Sequence, residues 1–220
     1  AAMLLPALSS ARNTAKNINC TAHLKQLGLA FQLYADGYNE YFPPAVMPNN
    51  ADPRYNNWIP MVMPFVNPSK QADQYDIVNW TEFKTGVFRC PNKTNFCNIL
   101  GYSYQENQNI GATVRLSRIT QTSITLLLAD GVDDWDNVAF LHWAQDWDTR
   151  PFYPPIPSVN FTRHANGLSS AGNTSLNSAN GSNAGRANMV FVDGHTQTSN
   201  ALNAYNSFHC YPQGINFNPS

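Results

Sequence analysis

The sequence predicts an α+β protein in which one long N-terminal helix lies on an antiparallel β-sheet head, and three observations predict it. Apolar residues recur every three or four positions from Leu4 to Tyr34, the period of a helix face. Beyond Tyr41-Phe42-Pro43-Pro44, short β-branched or aromatic runs alternate with Gly, Pro, Asn and Asp, the pattern of strands joined by turns. Asp193-Gly194-His195 separates two such runs, and Asp-Gly tolerates the positive φ of a tight hairpin turn. The division that follows is a helix over residues 1–36, incomplete at its start, and a β-rich globular head over 37–220.

In the helix, Leu4, Leu8, Ala11, Ala15 and Ile18 step by four and three, and Cys20, Leu24, Leu27, Phe31 and Tyr34 read as the same stripe on a slightly rotated face. The pattern runs to about Ala35, Asp36-Gly37 supplies a stop, and the length is on the order of 50 Å. A head of this size cannot cover so long a helix. The first half, polar only on the side of Arg12, Asn13, Lys16 and Asn17, is expected to protrude and need a partner, while the second half packs on the head. Pro6 predicts a kink or local loosening. The apolar run Ala1 to Leu8 is far short of the roughly 20 residues that cross a bilayer, and reads as the tail of a longer hydrophobic helix.

In the head, Gly86 to Cys90, Tyr102 to Tyr104, Ile124 to Ala129, and Met189 to Val192 paired with Thr196 to Thr198 read as strands. Met61 to Val66 fits either a short helix or an apolar loop. Residues 166–185 are rich in Gly, Ser, Asn and Ala, with almost no large apolar side chain, and predict a flexible surface insertion.

A chain of 220 residues can form one domain with a real core. Only 12% of its residues are charged and its net charge is −1, so it lacks the basic surface that nucleic acid or an anionic membrane would require. Cys20, Cys90, Cys97 and Cys210 form an even set without a Cys-x-x-Cys pair or zinc-like Cys/His spacing, which favours disulfides in an oxidising compartment over buried free thiols. Four cysteines allow three pairings. Cys20–Cys90 with Cys97–Cys210 is the preferred one, because the first ties the helix to the head and the second pins the C-terminal tail.

The segment Met3-Leu4-Leu5-Pro6-Ala7-Leu8-Ser9-Ser10-Ala11-Arg12, followed by Asn19-Cys20-Thr21-Ala22-His23-Leu24-Lys25-Gln26-Leu27-Gly28-Leu29-Ala30 and Tyr34-Ala35-Asp36, resembles the bacterial type IV pilin and type II secretion pseudopilin superfamily, in its prepilin-type, DUF1559-like form. Val87-Phe88-Arg89-Cys90-Pro91, Gly101-Tyr102-Ser103-Tyr104, Leu127-Leu128-Ala129-Asp130-Gly131, Arg163-His164-Ala165-Asn166-Gly167 and Asn188 to His195 look like that family's head landmarks. There are two departures. The family's His and Asp-Gly usually stand about ten residues apart, whereas His164 and Asp193 are separated by about 29, which a swollen loop on a kept hairpin explains. The family's processing site, acidic residue and further apolar residues would also precede Ala1, so the sequence is expected to begin part-way along the family helix.

The resemblance implies a pilin-like fold and a structural role. A precursor sits in the inner membrane, prepilin peptidase trims and methylates it, and pilus or secretion machinery assembles it into a helical homo-oligomer, extracellular as a pilus or periplasmic as a pseudopilus. Leu4, Leu5, Pro6, Leu8, Ala11, Ala15 and Ile18 would form the assembly helix. No cofactor is required.

Some residues offer other chemistry. Asp130, Asp133, Asp134 and Asp136 supply oxygens for Ca²⁺, the one candidate ion, in a spacing that matches no EF-hand; solvated turn carboxylates are the plainer reading. Some proteins of the family it resembles hold calcium in the head. Trp135, Trp143 and Trp147 could form a sugar-stacking face, which would make the chain a secreted carbohydrate-binding or adhesive module, although covering a thin core is the commoner use. His164 and His195, near Asp193 and Gly194, read as turn-holding residues. A hydrolase built on Asp130, Asp133, His164 and His195 lacks any supporting Gly-x-Ser-x-Gly, His-Glu-x-x-His or phosphate-loop motif. No enzyme is expected.

Overall fold

The computed structural model describes residues 4–44, 58–69, 86–92, 104–106, 110, 114–131, 164, 185–200 and 203. Helix α1 spans Leu4–Gly37, 34 residues or about 50 Å. Pro6 lies in the first described turn of the helix and is exposed. The turn before Pro6, where the expected kink or loosening would fall, lies partly outside the described residues. At the other end the reversal falls later than Asp36-Gly37. Asn39 and Glu40 take φ of 55° and 67°, and the Glu40 amide donates back to the Ala35 carbonyl at 2.9 Å. This left-handed turn ties up a carbonyl that the helix end leaves open.

Residues 59–66 form a helix. In α2, Ile59–Val66, Pro60 sits in the first turn, where its missing N–H is harmless, and the Met61 and Val62 amides donate to the Trp58 carbonyl. The helix is apolar nearly all round because it is wedged against α1. Phe31 meets Trp58 at 5.2 Å, Tyr34 meets Phe65 at 6.1 Å, and Trp58 reaches Phe88 at 6.0 Å.

Among the described residues the sheet has four antiparallel strands in the order β1-β2-β3-β4: Tyr104–Glu106, Leu126–Asp130, Ala187–Phe191 and Thr196–Ser199. Together with α1 it makes the expected α+β, pilin-like arrangement. The predicted hairpin is present, with Val190 opposite Thr196 and Gly194 at φ +83°. β2 starts at Leu126 and not at Ile124, because the Ile124 and Thr125 amides both turn back to the Gln121 carbonyl.

Gly86 to Cys90 is a turn and not a strand. The Arg89 amide donates to the Gly86 carbonyl at 3.0 Å, and the Arg89 carbonyl is taken by the His23 ring at 2.9 Å. Phe88 and Cys90 point into the core, so alternating burial here imitates a strand's period without its pairing. The insertion expected at 166–185 lies outside the described residues, apart from Gly185.

α1 lies across the sheet through Cys20, Leu24, Leu27 and Phe31, all fully buried. The approach is closest at Gly28. A Cβ there would stand 2.8 Å from Val190 Cγ2, so the glycine is what allows the helix backbone to rest on β3.

Candidate functional site

Two features of α1 stand out, one facing solvent and one facing the sheet. At about 100° per residue, the Leu4-to-Ile18 stripe and the Cys20-to-Tyr34 stripe are centred about 160° apart, on nearly opposite faces. They are not one slightly rotated stripe. The second stripe is buried in the head. The first is not: Leu5, Leu8 and Ile18 are 71%, 68% and 62% exposed, Ala11 and Ala15 are also exposed, and so is Pro6.

The exposed stripe does not stop at Ile18. Ala22, Leu29 and Leu33 continue it in steps of four, seven and four, and Leu29 and Leu33 remain 60% and 42% exposed where the helix rests on the head. A single apolar strip therefore runs along the helix on the side away from the sheet, interrupted by Lys25 and Gln26. These three residues were not identified from the sequence, although extending the helical wheel past Ile18 would have found them. No helix among the described residues is long and apolar enough to cross a membrane.

Opposite the strip, helix, turn and sheet meet at a buried polar junction. Cys20 and Cys90 form a disulfide across a sequence separation of 70, with Cα atoms 5.0 Å apart, as proposed for that pair. Cys97 and Cys210 lie outside the described residues. Beside the disulfide, His164 Nε2 stands 3.0 Å from Asp130 Oδ2, with both side chains fully buried, and 3.6 Å from Cys90 Sγ. The Asn92 amide nitrogen donates to His164 Nδ1 at 2.9 Å. That contact places the ring proton on Nε2, which donates to Asp130.

The Asn188 amide donates to the same Asp130 oxygen at 2.7 Å. Asn188 also donates through its side chain to Asn17 of α1 at 2.8 Å and accepts from Thr198 at 2.6 Å. Tyr104 OH donates to the Cys20 carbonyl at 3.4 Å, and the Gln32 amide donates to the Val192 carbonyl. The sequence places Asn17 on the polar side of the helix and Asn188 in a family landmark, but spacing along the chain does not show that the two meet.

Asp130 is thus an inward-facing residue at the end of β2, not a solvated turn carboxylate. Asp133, Asp134 and Asp136, its companions in the calcium set, lie outside the described residues, as do Trp135, Trp143 and Trp147. The two histidines are separated in role. His195 sits at the hairpin turn, where its ring Nδ1 and its amide contact Asp193 Oδ1 at 2.6 Å and 3.0 Å, and it stacks on Phe191 at 4.3 Å. His164 does more than hold a turn, because its ring links Asp130 to Asn92. Of the four-membered hydrolase set, Asp133 lies outside the described residues, His164 pairs with Asp130, and His195 pairs with Asp193 instead.

A disulfide-pinned helix lying on an antiparallel sheet, with a free apolar strip along its outer side, defines a pilin-like α+β protein. The disulfide points to an extracytoplasmic location. The family described as "Protein of unknown function (DUF1559)" matches residues 9–138, and the chain belongs to it. The matched region takes in most of α1, all of α2 and both cysteines of the disulfide; it ends before His164 and the β3–β4 hairpin. Neither the curated proteins nor the solved structures contain a match.

Proposed function

We propose that the chain is the structural subunit of an extracellular type IV pilus-like filament or of a type II secretion pseudopilus, assembling through α1. The exposed strip through Leu8, Ala11, Ala15, Ile18, Leu29 and Leu33 carries this reading. An apolar face of this length on the side away from the head gains free energy only when another surface covers it, at about 25 cal/mol per Å² buried. Small alanines between the larger residues let a second helix approach closely. The low net charge suits packing of identical copies. The precursor's partners are then the inner membrane, prepilin peptidase and the assembly machinery.

The test is electron microscopy of the full-length protein in its source cells, comparing the parent with Leu8→Glu and Ile18→Glu. Filaments in the parent that disappear in both variants, while the secreted head keeps its disulfide and its thermal stability, support assembly through the strip. Filaments that persist in both variants exclude it.

A further inference from the structure

The strip along α1 is not purely apolar. Lys25 interrupts it and Asp36 stands at its end. At about 100° per residue, Ile18, Lys25, Leu29 and Asp36 fall within about 40° of one another on the helix surface, and both charged side chains are exposed. Neither makes an ion pair among the described residues. They are out of reach of each other, because the helix between them holds them about 16.5 Å apart. Asp36 is the sole acidic residue of α1, in a last turn that holds no basic one, where the negative end of the helix dipole disfavours a carboxylate. Lys25 has the complementary need: once a second surface covers the strip, an ammonium without a counter-charge is costly to bury.

The step from Lys25 to Asp36, eleven positions, is three helical turns to within about 20°. A displacement of that length therefore lays the strip back on itself. It sets Ala11 against Ala22, Ile18 against Leu29, Ala22 against Leu33 and Lys25 against Asp36. We propose that copies of this chain pack with their α1 helices parallel and offset by eleven residues, so that Lys25 of one copy pairs with Asp36 of the next. The proposal rests on the assembly reading above and adds the polarity and the register. Parallel packing covers the half of the helix that protrudes, since residues 4–22 of one copy lie along residues 15–33 of the next. An antiparallel pair joined by the same two charges would carry Leu4 to Ala15 past the end of the neighbouring helix at Gly37 and leave them uncovered. The offset contact is heterologous, with different residues on its two sides, so it propagates along a filament instead of closing into a pair.

The experiment uses filaments of the full-length protein. A carbodiimide joins an amine to a carboxylate in direct contact. Within one chain Lys25 and Asp36 are too far apart to be joined, so a Lys25–Asp36 cross-linked peptide found by mass spectrometry comes from two copies. That peptide is expected. Lys25→Glu and Asp36→Lys should each lower assembly at least roughly tenfold through like-charge contact, and the chain carrying both should recover it. Mixed Ile18→Cys and Leu29→Cys chains should form an oxidised heterodimer, while Leu29→Cys alone forms no dimer. All four substituted side chains are exposed, and thermal unfolding checks that each variant keeps its fold.

Absence of the cross-linked peptide, a charge swap that fails to restore assembly, or homodimers of Leu29→Cys, the mark of antiparallel packing, would overturn the register. Filaments that are lost in Leu8→Glu and Ile18→Glu but persist in both single charge variants would overturn the register and leave assembly through the strip standing. Filaments that persist in all four variants would overturn both.

Discussion

His164 donates its Nε2 proton to Asp130 Oδ2 at 3.0 Å in a fully buried setting, joining a turn residue to the last residue of β2. The Asn188 amide brings β3 to the same oxygen, and the Asn188 side chain reaches Asn17 on α1. One carboxylate therefore helps to hold two strands and a turn together, and a single asparagine extends the link to the helix.

Removing one side of such a contact leaves a buried polar group short of a partner. His164→Ala is expected to destabilise the protein by about 3–5 kcal/mol, measured by denaturant unfolding. In a cycle with Asp130→Ala, the double variant should lose less than the sum of the singles by more than about 0.5 kcal/mol. Additive losses would mean that the two residues act independently.

Gly28 and Gly37 lie in the same helix but should respond differently to alanine. An added Cβ at Gly28 meets Val190 Cγ2 at 2.8 Å, whereas at Gly37 nothing lies within 4 Å. Gly28→Ala should cost about 1–3 kcal/mol through overpacking, and Gly37→Ala should be neutral or slightly stabilising. Equal melting temperatures for the two variants would show that the helix can lift off β3 without loss.

The Cys20–Cys90 bond closes a long loop, its ends separated by 70 positions. Loop-closure entropy makes its reduction worth about 4 kcal/mol. Cys20→Ser should lower stability by that order, and Tyr104, which donates to the Cys20 carbonyl, should become more accessible to solvent. A stability unchanged by reduction would show that packing alone pins the helix.

The two faces of α1 should separate stability from assembly. Leu24→Ala, on the buried face, should cost about 2–5 kcal/mol. Leu29→Glu, on the exposed strip, should leave unfolding of the isolated chain within about 0.5 kcal/mol of the parent and abolish self-association in sedimentation. A large loss of stability from Leu29→Glu would place that side chain in the core and remove it from the strip.

The sequence by itself determined the elements whose cause is local. The helix was legible because its apolar spacing persists over many turns, and the β3–β4 hairpin because Asp193-Gly194 has a conformational preference of its own. It also indicated that the helix would carry a disulfide, through an even set of cysteines with Cys20 on the helix. Tertiary structure decided the rest. It turned two apparently continuous stripes into a buried face and a free one, since periodicity shows that residues share a face but not which face the head will cover. It made Gly86 to Cys90 a turn, because alternating burial of Phe88 and Cys90 can arise without a paired neighbour. It also brought Asp130, His164, Asn92, Asn188 and Asn17 together from five separate parts of the chain, a convergence that depends on distances in space and leaves no trace in the spacing of residues along the sequence.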